Sequence, residues 1–366
     1  MSGIFDYFKW RGDLSLLAVP LCDADLLIFS ELVYIDLCAD TPQPLPELCR
    51  TALKKQGIIR NSGARQTMLH HKQDEELLSE LAKSPRFADV KIGYCESRTD
   101  KNIEEQFGAM TVFLPDDSLL IVFRGTDWSL VGWKEDFNMA YCEVLPAQKS
   151  ALEYLTRIAV LHSGPIYVTG HSKGGNLAVY ASAFAPDKIS SRIISVTSLD
   201  GPGFNEKILS SPQYGAISER VRTFMPSASI VGTLFSHTGK FSIIKSRGRG
   251  VMQHIPYNWE IVGGGFVTAA ERDGTSQLVE VTLNEWIAEL TAEERRTFID
   301  TVWSVLSNID IDDLVELLEG KNTKAIIKNY NALDEDSKKL IGDTLAKLRE
   351  CAKGSLSELV AQTKKK

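Results

Sequence analysis

The sequence predicts an α/β fold: a mostly parallel sheet with helices on both faces, extended by helices at each end. Three observations predict it. Short β-branched runs alternate with helical stretches between about residues 105 and 260. One unbroken stretch, Ile166-Tyr-Val-Thr-Gly-His-Ser-Lys-Gly-Gly-Asn-Leu-Ala-Val-Tyr180, reads as strand, sharp turn and helix. Before residue 90 and after Thr282, apolar residues return at spacings of three and four, the period of an amphipathic helix. The chain therefore divides into a helical N-terminal region (1–90), an α/β core (91–280) and a helical C-terminal region (281–366).

In the first region Asp23 or Asp25 can cap a helix carrying Leu26, Phe29, Val33 and Leu37. Pro42, Pro44 and Pro46 break that pattern, and a second helix, Asp74–Ala82, ends near Pro85. No chemistry is apparent in this region. In the core, Met110–Leu114 and Leu119–Phe123 flank Pro115-Asp-Asp-Ser118 as a hairpin. A helix over Gln148–His162 buries Leu152, Leu155, Ile158 and Ala159. Strands follow at Ile166–Thr169, Ile193–Leu199, Val221–Met225 and Phe241–Lys245, with the helix after the sharp turn spanning Asn176–Ala185. In the last region Thr291-Ala-Glu-Glu294 forms a capping box ahead of Phe298, Val302, Val305 and Leu306. Asp310 or Asp312 opens a short helix that Gly320 closes, and Asp334–Cys351 carries Leu340, Ile341, Leu345 and Leu348.

Composition narrows the function. The 366 residues are 43% hydrophobic and 24% charged, ordinary for a globular protein. A formal net charge of −7 argues against a nucleic-acid partner, which needs a basic face. The Lys364-Lys365-Lys366 tail is too small to reverse this. No run approaches the roughly eighteen uncharged apolar residues of a membrane span, and the N-terminus carries charges where a signal peptide is apolar. Cys22, Cys38, Cys49, Cys95, Cys142 and Cys351 are scattered with no C-x-x-C pair, which reads as thiols in a reducing compartment. The expectation is a cytoplasmic, soluble protein.

Gly170-His171-Ser172-Lys173-Gly174 fits the G-x-S-x-G nucleophile elbow, because it sits between a strand and a helix. Strand and helix pass so closely there that side chains at Gly170 and Gly174 would collide. Ser172 is the candidate nucleophile. It needs a base within hydrogen-bond reach and donors for a developing oxyanion. Elbow geometry makes the backbone N–H of Lys173 one such donor. A lysine there opposes the helix dipole, so it calls for a surface ion pair or a preference for anionic substrates. His70 and His71 read as solvated, His162 ends a helix, and His171 points away from Ser172 and packs under the elbow. That leaves His237 and His254 as bases, since both follow the nucleophile and the next strands.

Several of these stretches resemble the class-three (fungal-type) lipases of the α/β-hydrolase superfamily: Phe123-Arg-Gly-Thr126, Trp133–Asp136, Thr169–Gly175, and the His237 and His254 segments. With Asp6-Tyr-Phe-Lys-Trp-Arg-Gly-Asp13 and Ser198-Leu-Asp-Gly-Pro-Gly-Phe204 added, the whole chain looks closest to the bacterial Mbeg-like branch. The resemblance implies the α/β-hydrolase fold. It implies a second oxyanion donor at Thr126, through its N–H and hydroxyl. It favours His254, because His254-Ile-Pro-Tyr257 is similar to the lipase segment that carries the catalytic histidine. Ser236-His-Thr-Gly is similar to a segment whose histidine is not catalytic. The sequence departs from class-three lipases at the acid: Ser229-Ile-Val-Gly232 has no carboxylate where they have Asp. Asp200 takes its place, in a Leu-Asp-Gly-Pro context similar to that of pancreatic-type lipases. It ends the Ile193–Leu199 strand, and parallel strands bring their C-terminal ends to one edge. Asp127 and Asp136 are weaker candidates, expected to make structural hydrogen bonds or to pair with Arg124.

These readings predict a serine esterase or lipase-like hydrolase with Ser172, His254 and Asp200 as its triad. No metal or organic cofactor is implied. The partner is a small-molecule or lipid ester, with no nucleic acid and no stable membrane insertion. The apolar segment Trp128-Ser-Leu-Val-Gly-Trp133 is expected either as a small lid or as a core loop. An acyltransferase using the same triad and a non-catalytic interaction module are the alternatives.

Overall fold

A computed structural model describes residues 2–363 except 38, 55–59, 61–63, 128, 308 and 310–321. The short helix expected over Asp310–Gly320 and the Lys364–Lys366 tail lie outside the described residues. Eight strands line up in sequence order: β1 (Gln43–Pro44), β2 (Lys91–Asp100), β3 (Glu105–Phe113), β4 (Leu119–Phe123), β5 (Ile166–His171), β6 (Ile193–Leu199), β7 (Val221–Pro226) and β8 (Lys240–Ile244). The pairs from β1 to β4 are antiparallel and those from β4 to β8 are parallel. The expected hairpin is the β3–β4 pair, closed around Pro115–Ser118 with Leu114 N donating to Ser118 O at 3.0 Å. Strand β2 was not expected. Its sequence, Lys-Ile-Gly-Tyr-Cys-Glu-Ser-Arg-Thr-Asp, is polar over its second half and half-exposed there, so it lacks the apolar run that marks a central strand.

β4 shows why the sheet needs a layer on each face. Its five residues, Leu-Leu-Ile-Val-Phe, are all buried, and successive side chains point to opposite faces. Leu120 and Val122 join one apolar cluster, while Leu119, Ile121 and Phe123 join another. Burying each such side chain contributes about 1.5–3 kcal/mol. The first cluster is closed by the N-terminal helices α1 (Ile4–Arg11), α2 (Asp23–Leu32), α3 (Leu45–Lys54) and α4 (Ala64–Lys83). The second is closed by α6 (Pro146–Leu161) and α7 (Lys173–Phe184), which follow α5 (Leu130–Asn138) along the chain.

The helix expected from Asp23 starts there, with Asp25 accepting from Cys22 N at 2.9 Å. It stops at Leu32, so Leu37 lies beyond it. Further helices span Gly274–Glu289, Ala292–Ser307, Thr323–Ala332 and Glu335–Thr363. The Thr291 capping box forms as expected: Thr291 N donates to Glu294 Oε2 at 2.7 Å and Glu294 N to Thr291 Oγ1 at 3.1 Å. No described helix is long and apolar enough to cross a membrane.

Candidate active site

β5 runs directly into α7 with Ser172 as the single residue between them. Ser172 takes φ +58°, ψ −135°, a conformation that costs about 1–3 kcal/mol for a residue with a side chain. The packing that enforces it is measurable. A Cβ on Gly170 would lie 2.3 Å from the carbonyl of Gly174, and one on Gly174 would lie 2.2 Å from Phe123 O. Only hydrogen fits at either position. Ser172 N donates to Leu199 O at 2.9 Å, which ties the turn to the end of β6.

Asp200 is the residue after β6. It is fully buried, also has positive φ (+54°), and its N–H donates to Phe224 O at 2.8 Å. Its two carboxylate oxygens have separate partners. Oδ2 lies 2.6 Å from His254 Nδ1, and Oδ1 accepts from Ser229 Oγ at 2.5 Å. A carboxylate only accepts, so His254 Nδ1 carries the proton and Nε2 keeps its lone pair. Ser229 Oγ in turn accepts from Gly232 N at 2.9 Å. Ser229 thus orients the carboxylate that ends the neighbouring strand. Nothing in its local sequence announces that role, because the contact joins residues 29 positions apart.

His254 ends a one-turn stretch, Gly250–His254, and its side chain is 23% exposed. It packs against His171, the residue before Ser172, with ring centroids 4.4 Å apart. His171 therefore points away from Ser172, as expected, but toward the candidate base. Among the described residues no hydrogen bond joins Ser172 to His254; such bonds are often long in unliganded enzymes. The other candidate base, His237, instead donates from Nε2 to Gly232 O at 2.7 Å, and Asp200 bonds to His254.

The oxyanion side differs from expectation in detail. Thr126 Oγ1 donates its only proton to Asp136 Oδ1 at 2.7 Å, which leaves the Thr126 N–H rather than the hydroxyl for an anion. Burial raises the Asp136 pKa to about 6. Lys173 presents its N–H at the start of α7, but its side chain overturns both expectations made for it. It forms no surface pair and faces no substrate: it is 1% exposed, and Nζ donates to Glu135 Oε2 at 2.7 Å and to Gln106 O at 3.0 Å. Burial alone would lower its pKa; Glu135 and Asp136 outweigh that and hold it raised. Glu135 is itself fully buried and accepts from Gln106 N and Ala147 N, so the pair ties the elbow to β3, α5 and α6. Sequence reasoning passed over Glu135.

Asp127 accepts from Ser129 N at 2.9 Å, a structural bond as expected. Arg124 bonds to Ser97 Oγ and Phe107 O, and no ion pair within 4.0 Å joins it to Asp127 or Asp136. The segment expected as lid or loop continues from Ser129, which caps α5 by accepting from Gly132 N; Trp128 lies outside the described residues. His70, expected in solvent, packs on Tyr257 at 6.0 Å, and burial lowers its pKa to about 4. A cleft lined by Met139, Leu145, Asn176, Phe204 and Phe235 reaches Gly203, three residues past Asp200, without including Ser172 or His254.

A sequential, mostly parallel sheet, with a strained serine between strand and helix at its C-terminal edge, defines an α/β-hydrolase fold of the lipase-like class. The chain belongs to the Mbeg1-like family, whose model matches residues 81–304. It is similar to solved structures of the Rhizomucor miehei lipase propeptide complex (17% identity over 60% of this chain and 67% of that one, TM-score 0.36). It is also similar to M37 lipase (16% identity over 58% and 68%, TM-score 0.37) and to Lip2 lipase from Yarrowia lipolytica (15% over 50% and 83%, TM-score 0.33). No curated protein matches the chain.

Proposed function

We propose that this protein is a serine hydrolase that cleaves carboxylic esters through a Ser172 acyl-enzyme, with the chemistry in residues 91–280. The 2.6 Å bond from buried Asp200 to His254 Nδ1, beside the strained Ser172, carries the reading. Asp200 fixes the tautomer that leaves His254 Nε2 basic. That nitrogen takes the Ser172 proton as Oγ attacks the carbonyl carbon, and Asp200 stabilises the imidazolium that forms. The N–H groups of Lys173 and Thr126 stabilise the oxyanion, helped by the positive end of α7. His254 returns the proton to the leaving alcohol, then activates the water that releases the acid. The five described cysteines are free thiols, which fits a cytoplasmic location.

Labelling with a serine-reactive fluorophosphonate tests the proposal. The parent should label at Ser172, and Ser172→Ala should neither label nor turn over a p-nitrophenyl ester while melting like the parent. Undiminished turnover by Ser172→Ala would sink the assignment. Asp200→Asn should lower kcat by at least about a hundredfold with KM little changed, since the equivalent change in a serine protease cost about ten-thousand-fold.

A further inference from the structure

Residue 34 lies outside the span that the family model matches, yet it packs against the candidate site. The chain turns just past α2, burying Tyr34 beneath the elbow at 4% exposure. Its hydroxyl lies 3.4 Å from His171 Nδ1, and the two rings meet edge to face with centroids 6.4 Å apart. The same hydroxyl crowds the loop that carries Thr126: a methyl on Gly125 would meet it at 2.3 Å, and would meet Ser172 Cβ at 2.9 Å. Tyr34 is wedged between the oxyanion loop and the residue before the nucleophile.

The direction of each bond follows from what each atom can do. The His254 carbonyl only accepts, so His171 Nε2, 2.8 Å away, carries the proton. Burial first, and next the His254 imidazole when it is protonated, hold the His171 pKa well below its ordinary value, so the ring is neutral and has one N–H. Nδ1 is then an acceptor, and the Tyr34 hydroxyl donates to it. The result is a single chain: Tyr34 O–H to His171 Nδ1, and His171 Nε2–H to His254 O. His171 also lies against the imidazole of His254. His254 is thus held by Asp200 at one nitrogen and by His171 at its backbone and ring face.

We propose that Tyr34 is a positioning residue for His254: its hydroxyl, together with the His254 carbonyl, fixes the tautomer of His171, which holds the His254 carbonyl and ring in place. The proposal rests on the serine-hydrolase reading of the site. If the proton moves to Nδ1, the Nε2 lone pair faces the lone pairs of the His254 carbonyl. That contact becomes repulsive, and the segment carrying His254 shifts away from Ser172. A displacement of the order of 1 Å at a base is costly in rate even when substrate binding is untouched.

Tyr34→Phe removes the hydroxyl and keeps the ring, so packing is preserved. Fluorophosphonate labelling of Ser172 and kcat for a p-nitrophenyl ester should each fall about tenfold, with KM and melting temperature unchanged. Two-dimensional ¹H–¹⁵N spectra of the imidazoles should show His171 as the pure Nε2–H tautomer in the parent and as a mixture in Tyr34→Phe. Labelling and turnover within twofold of the parent would overturn the proposal. So would a fall in rate with the His171 tautomer unchanged, because the effect would then bypass His171. His171→Gln supplies a second test, since an amide cannot tautomerise: adding Tyr34→Phe to it should cost nothing further, and additive losses would refute the relay. A parent that never labels would defeat the hydrolase reading, and the tautomer comparison would still decide whether Tyr34 governs His171.

Discussion

In the N-terminal layer Arg86 and Arg60 are 1% and 3% exposed, and each is locked to carboxylates on another element. Arg86 donates to both oxygens of Asp25, at 2.7 and 2.5 Å, and Arg60 bridges Glu31 on α2 and Asp74 on α4. In the C-terminal helices the pairs Lys347–Glu294 (3.4 Å) and Lys339–Asp343 (3.8 Å) lie in solvent. Both ends of the chain show helical periodicity, so the pattern of apolar residues does not separate them. The fate of the charges does. Water can replace a partner lost at the surface, whereas a carboxylate buried on α2 or α4 depends on its arginine for charge compensation. The N-terminal layer is therefore part of the core that carries the site: Tyr257, three residues past His254, donates to Asp74 at 2.7 Å.

The most severe break in this contrast is Arg86→Leu. It takes the cation from fully buried Asp25, which keeps Tyr7 Oη and Cys22 N as donors, and should cost about 3–5 kcal/mol in denaturant unfolding. A cost below about 1 kcal/mol would mean that the layer is not one cooperative unit with the sheet. Next in size is a pH effect. His70 has its folded pKa lowered to about 4 by burial against Tyr257. The unfolded chain therefore binds this proton first as pH falls, and stability is lost between about pH 6.5 and 4. His70→Gln should remove up to about 3 kcal/mol of that acid sensitivity while changing stability little at pH 8. Parallel pH–stability curves for the two proteins would contradict it. The smallest effect is Lys347→Ala, expected within about 0.5 kcal/mol of the parent. A loss above 1 kcal/mol would place the C-terminal helices in the same class as the N-terminal layer.

What could be read in the sequence was whatever local sterics decides. Gly170 and Gly174 imply a close crossing of strand and helix before any coordinates exist, and the apolar runs of β4–β7 imply a sheet buried on both faces. Asp200 was locatable because a strand's end falls at a fixed edge of a parallel sheet. The contacts between distant residues were not legible. Lys173 looked like a cation at a helix start because Glu135, its partner, lies 38 positions away. Ser229 looked like a missing acid, and nothing in the sequence singled out Tyr34. His70 looked solvated because its neighbours in sequence are polar, whereas its neighbour in space is Tyr257. Each of these errors weighed a residue by its flanks when a residue far along the chain set its environment.

Lys173 carries one more consequence, for proteolysis. Trypsin requires a lysine it can reach in an extended segment, and this one is sealed between β3 and α5 at the first position of α7. The Lys173–Gly174 bond can be cut only in molecules that have opened globally. The tryptic fragment ending at Lys173 is therefore a built-in counter of unfolded chains, and it reports the state of the residue next to Ser172 without substrate or label.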